Sequence, residues 1–144
     1  MKTAAIVTAA MLALSGCATS GLGSSGGSTS ASAGATAAQV GSRTINAMGG
    51  GLIGGSIGQG LGESDRRSAL VAEYRALEYT PNGQKVTWKS ESSAVFGEVV
   101  AAQPYRVGSQ DCRQYSHTVF GGSQPAMARG TACRNADGSW TPLS

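Results

Sequence analysis

Residues 111–134, DCRQYSHTVFGGSQPAMARGTACR, read as two strands folded back on one another. Asp111–Phe120 and Ala126–Arg134 are β-rich runs, and Gly121-Gly122-Ser123 between them is a turn signal. If Gly122-Ser123 form a two-residue hairpin loop, Cys112 falls directly opposite Cys133, an odd number of steps from the turn. Such a pair is not hydrogen-bonded to its partner, and its Cα atoms lie about 4.5 Å apart, which suits a disulfide. The same register sets Pro125 opposite Phe120, where the missing proline N–H costs the ladder nothing. The competing use of the two thiols is a shared metal. With a single histidine, His117, and no CxxC, such a site lacks ligands, so no metal is expected. Closing a loop of about 20 residues is worth roughly 3 kcal/mol on the chain-entropy model.

Strand patterns extend outward from this hairpin. Gln84–Ser90, Ala94–Ala102, Pro104–Val107 and a short piece around Trp140 are punctuated by Gly108-Ser109 and Asp137-Gly138. A small antiparallel sheet of about four or five strands follows. Before it, Ser64-Asp65 offers a helix start with an acidic first turn, and Leu70, Tyr74 and Leu77 recur at helical spacing until Pro81-Asn82-Gly83. The spacing predicts an amphipathic helix over 64–79, with Asp65-Arg66-Arg67 on a solvated face. The class is α+β, with residues 63–144 as the helix-plus-sheet domain.

Residues 44–62, TINAMGGGLIGGSIGQGLG, carry no charge. Gly50, Gly54, Gly58 and Gly62 fall four apart, and on a helix they would form a smooth face for close helix packing, a glycine zipper. Three readings compete: a close-packed helix in or on a membrane, an irregular glycine-rich segment, or a self-association element outside the membrane. The helical reading is the one carried forward. Nineteen uncharged residues are about long enough to cross a bilayer, although each interior glycine costs a helix about 1 kcal/mol in water.

The N-terminus has its own logic. Met1-Lys2 and the apolar run Thr3–Leu14 make a short export signal, too brief for a permanent span. Leu14-Ser15-Gly16-Cys17 then presents small residues before a thiol, the pattern of lipoprotein processing. Residues 1–16 are expected to be removed and Cys17 to take a diacylglycerol and an N-acyl chain. Three acyl chains hold a protein on a membrane almost permanently. Ala18, where an aspartate would suggest inner-membrane retention, favours the outer membrane, with the leaflet left open. Using Cys17 for lipid also leaves the even pair Cys112 and Cys133. From Cys17 to residue 43 the Gly/Ser/Ala/Thr tract lacks periodicity and reads as a flexible tether.

Composition excludes several classes. A net charge of +3 with 13% charged residues is too small and too scattered for nucleic-acid binding. Ser116-His117 has no acid placed beside it in sequence, and a lone histidine in a strand reads as a surface or packing residue. Glu73, Glu78, Glu91, Glu98, Asp111 and Asp137 show no motif spacing. Gly49–Gly62 lacks the Gly-Lys-Ser/Thr of a phosphate loop. No catalysis and no cofactor beyond the lipid on Cys17 are expected.

Taken together, LSGC at 14–17, GGGLIGGSIGQGLGESDRRSA at 49–69, RALEYTPNGQKVTWKS at 75–90 and DCRQYSHTVFGGSQPAMARGTACRNADGSW at 111–140 resemble the rickettsial 17-kilodalton surface antigen family. The CR-x-Y, GTACR and DGSW elements, in that order, are its most specific part. Such proteins often carry a doubled glycine zipper, whereas only one block stands here. The resemblance implies a glycine-zipper lipoprotein of the outer membrane with no established catalysis, in contact with membrane lipid. Other glycine-zipper helices or envelope proteins are its implied partners, and the zipper offers a route to oligomers. The expected function is a structural or interaction role in the cell envelope. The alternative is an envelope binding module, a hydrolase inhibitor or a peptidoglycan-contacting protein, which an exposed patch near Trp88, Tyr105, Arg113 or Tyr115 would favour.

Overall fold

In the computed structural model, residues 41–143 are described. The signal, Cys17 and the tether up to residue 40 lie outside them. Every stretch with a strand pattern forms a strand: β1 Lys85–Lys89, β2 Phe96–Ala101, β3 Tyr105–Val107, β4 Gln110–Phe120, β5 Ala126–Arg134 and β6 Trp140–Leu143. The sheet therefore has six strands, not four or five, because the short β3 and β6 both pair. Its order is β1-β2-β4-β5-β6, all antiparallel. β3 continues along the β4 edge that β2 occupies.

The hairpin register is the one that the cysteines require: Cys112 pairs with Cys133, their Cα atoms 4.0 Å apart, and the disulfide forms. The ladder between β4 and β5 nevertheless ends at Val119–Ala126, so the connection is longer than two residues. Phe120 pairs instead with Phe96 of β2, and their rings stack at 4.7 Å.

Alternation along β4 gives the sheet two unlike faces. Arg113, Tyr115, His117 and Val119 are buried, while Gln114, Ser116 and Thr118 between them are partly or fully exposed; Cys112, in the disulfide, is buried as well. The buried face is covered in two halves. Over β1 and β2 lies α2, Glu63–Glu78, one residue earlier than its periodicity suggests. Ala69, Ala72, Tyr74, Ala76 and Leu77 bury there against Trp88 and Val99. Asp65, expected in solvent, is buried and accepts from Ser90 Oγ at 2.9 Å.

The other half is covered by the glycine-rich segment, and the expected single helix over 44–62 does not form. α1, Ser42–Ala47, ends before the glycines, and a single 3-10 turn, Ser56–Gly58, packs on β4 and β5. Gly49, Gly50 and Gly51 have φ of +57°, +93° and +57°, a left-handed run that breaks any right-handed helix. Gly50, Gly54, Gly58 and Gly62 do not share one face. Gly50 O accepts from Gly54 N in a turn, Gly58 closes the 3-10 turn, and Gly62 is the N-cap of α2. Ile45, Met48, Ile53 and Ile57 are buried in the same core as α2 and the sheet. No described helix is long and apolar enough to cross a membrane.

Candidate functional site

Where the two covering layers meet the sheet, four polar side chains are buried together. Glu73 stands on the core side of α2, and Tyr115 and His117 point inward from β4, all three at most 3% exposed. The Glu73 carboxylate receives four hydrogen bonds. His117 Nδ1 lies 2.7 Å from Oε1, Tyr115 donates to Oε2 at 3.2 Å, and the backbone N–H groups of Leu52 and Ile53 donate at 3.0 and 2.9 Å. On the far side of the ring, Trp88 Nε1 donates to His117 Nε2 at 2.8 Å.

This chain of bonds fixes the tautomer. An indole N–H can only donate, so Nε2 is an acceptor and the ring proton sits on Nδ1, aimed at Glu73. The carboxylate then faces four donors and has no unfilled side. Burial, and next the Glu73 carboxylate, push the Tyr115 hydroxyl far above its ordinary range, so it stays protonated and donating. An acid or base catalyst needs a ring nitrogen or carboxylate within reach of a substrate. Here both histidine nitrogens are engaged and water is excluded, so the cluster's chemistry is that of a clasp joining the glycine segment, α2 and the sheet. Gly97 belongs to it as well: a Cβ there would collide with the Trp88 indole and press on His117. Among the described residues no three His, Cys, Asp or Glu side chains converge as metal ligands would.

A second cluster ties the end of α2 to the last strands. Arg134 grips Glu78 with two bonds, Nε–Oε2 at 2.8 Å and Nη2–Oε1 at 2.7 Å, and Trp140 Nε1 donates to Oε2 at 2.8 Å. Burial raises the Glu78 carboxyl, but the Arg134 and Trp140 bonds outweigh it and hold it below its ordinary value. Close by, Arg113 closes the helix C-terminus. Its Nη1 donates to the carbonyls of Ala76, Leu77 and Thr80 at 3.0, 2.7 and 3.1 Å, and its Nε to Ala102 O at 2.8 Å. The Ala76 and Leu77 carbonyls are among those that the end of α2 leaves without helical partners.

Of the four residues flagged as a possible recognition patch, Trp88, Arg113 and Tyr115 are buried and only Tyr105, 43% exposed, reaches the surface. The Cys112–Cys133 bridge sits on the outer face, flanked in register by Tyr105 and Thr141. The Glu73–His117 pair is absent from the sequence reading, although two signals for it existed. Glu73 shares the helix face of Ala69, Ala76 and Leu77, and His117 has the same strand parity as Tyr115 and Val119. A titratable residue inside an apolar stripe asks for a partner.

Residues 75–141 match the family described as 17 kDa outer membrane surface antigen. The chain is 40% identical over 85 residues to the 17 kDa surface antigen of Rickettsia bellii (strain RML369-C), covering 58% of this chain and 54% of that protein. To the antigen of Rickettsia felis it is 42% identical over 82 residues, 56% of this chain and 52% of the relative. The Rickettsia conorii antigen is 40% identical over 82 residues, with the same coverage. The chain thus spans about half the length of the curated relatives it matches. No solved structure matches it. Over residues 75–141 the chain is therefore similar to the 17 kDa outer membrane surface antigen family.

Proposed function

We propose that the protein is an outer-membrane lipoprotein that displays its disulfide-closed α+β module at the end of a tether, in a structural or interaction role without catalysis. The observation that carries this reading is the sealed Glu73 clasp: the most chemically suggestive residues of the module are spent on holding its layers together. The family resemblance supports the envelope location, since the relatives are named surface antigens. The anchor rests on the sequence alone, on Leu14-Ser15-Gly16-Cys17 behind an export signal. Membrane lipid is the partner that this chemistry names. The glycine segment, folded into the core, is not carried forward as an oligomerisation surface.

The alternative, an envelope binding module, draws support from the outer face of the sheet. Among the described residues no element packs over it, and Met127 and Leu143 are each 56% exposed there. The anchor is tested by fractionating cells that express the wild type or Cys17→Ser, with labelled palmitate and protease treatment of intact cells. Labelled wild type in the outer membrane and unlabelled, soluble variant are the expected results. A variant that stays in the membrane fraction would refute lipid anchoring.

A further inference from the structure

We infer that the cleft beside the end of α2 binds the carboxyl terminus of an extended peptide. The cleft, of about 440 Å³, is walled by Leu77, Pro104, Tyr105 and Trp140 and bounded by three arginines and two acids. Two of the arginines are neutralised locally, Arg134 by Glu78 at 2.7 Å and Arg106 by Asp111 at 3.0 Å. Arg113 is different. It is only 6% exposed and lines the cleft, yet no carboxylate of the described residues lies within ion-pair distance of it. Its Nε and Nη1 are consumed by backbone carbonyls, and Nη2 takes part in none of those bonds. Burial without a counter-ion depresses its pKa, so a cation that structure holds in place gains from an incoming anion.

The surroundings select the anion. One uncompensated positive charge beside two carboxylates suits a monoanion over a phosphate dianion, and the apolar walls suit a carboxylate on an organic body. The adjoining strand selects a peptide. β3 pairs with β4 on one side only, and its other edge is open among the described residues. Because Cys112 faces Cys133 in a non-hydrogen-bonded pair, its own N–H and C=O turn toward Tyr105. The Arg106 N–H and C=O therefore face the open edge. A peptide added along that edge would use backbone bonds for affinity and end with its carboxylate at Arg113, a recognised mode of peptide capture. The inference concerns the module's partner and is independent of the Cys17 anchor.

The test is a titration of isotopically labelled full-length protein in detergent with acetyl-tetraalanine, as the free acid and as the carboxamide, followed by backbone and indole resonances. The acid is expected to bind at least about tenfold more tightly, consistent with a charged hydrogen bond. It should shift Arg106, Val107 and the Trp140 indole. Equal binding of acid and amide, shifts confined to other surfaces, or a stronger response to galacturonate or inorganic phosphate would each overturn it. Arg113→Gln, checked for retained fold because it uncaps α2, should abolish the discrimination between acid and amide. The wild-type comparison stands even if that variant fails to fold.

Discussion

Glu73→Ala is expected to lower the stability of the module by about 3–5 kcal/mol, the range for removing one partner of a buried charged network. The change strands four donors in the core: the Leu52 and Ile53 amides, the Tyr115 hydroxyl and His117 Nδ1–H. With domain stabilities of about 5–15 kcal/mol, a loss of this size is visible in any urea or thermal melt. Glu73→Gln keeps the volume but turns an amide NH2 toward donors, so it should still be clearly destabilising. Because Glu73 and His117 share one bond chain, their effects should not add, and the double variant Glu73→Gln/His117→Gln should show coupling of about 1–3 kcal/mol. Catalytic groups behave in the opposite way, since replacing them commonly stabilises the fold at the expense of activity. A melting temperature that is unchanged or raised in Glu73→Ala would remove the clasp from the account.

Replacing both Cys112 and Cys133 with alanine is expected to cost about 3 kcal/mol, given a sequence separation of 21 between them. At about 4–8 °C per kcal/mol for a domain of this size, the melting temperature should fall by roughly 12–24 °C. The same shift should appear when the wild type is melted in reductant, and reductant should do nothing further to the double variant. The bridge joins only neighbouring strands already in register, so the fold should persist while its margin shrinks. A wild type that melts identically with and without reductant would contradict the assignment.

These two sites differ in how far sequence could reach them. The Cys112–Cys133 register was legible because a hairpin is a local object: turn position and strand parity together fix which residues oppose. The strand segments and α2 were legible for the same reason, as periodicity of two or 3.6 over a short window, but not that the short β3 and β6 would both join one six-stranded sheet. The exact hairpin loop was not, because Phe120 pairs with Phe96 on β2, a contact from outside the hairpin.

The glycine segment shows the opposite limit. A four-residue spacing of glycines permits a packed helix, and the helix cost of its interior glycines leaves an irregular segment as the competing reading. What decides its conformation is a carboxylate some twenty residues later, which takes the amides of Leu52 and Ile53, together with a sheet face that needs a second cover. With Ile45, Met48, Ile53 and Ile57 buried against that face, the left-handed turn at Gly49–Gly51 is the route by which the chain delivers them. Tertiary demand overrides local spacing here, and glycine is the residue that makes the override cheap.

The claim on which the rest depends is that this segment is a fixed part of the module, held by Glu73. It is tested most directly by hydrogen exchange at the Leu52 and Ile53 amides in the full-length protein. Both should exchange as slowly as the inner residues of β4, and both should lose that protection in Glu73→Gln while the centre of the sheet keeps its own. Fast exchange of Leu52 and Ile53 in the wild type, beside a protected sheet, would show that the segment is not clasped to the core.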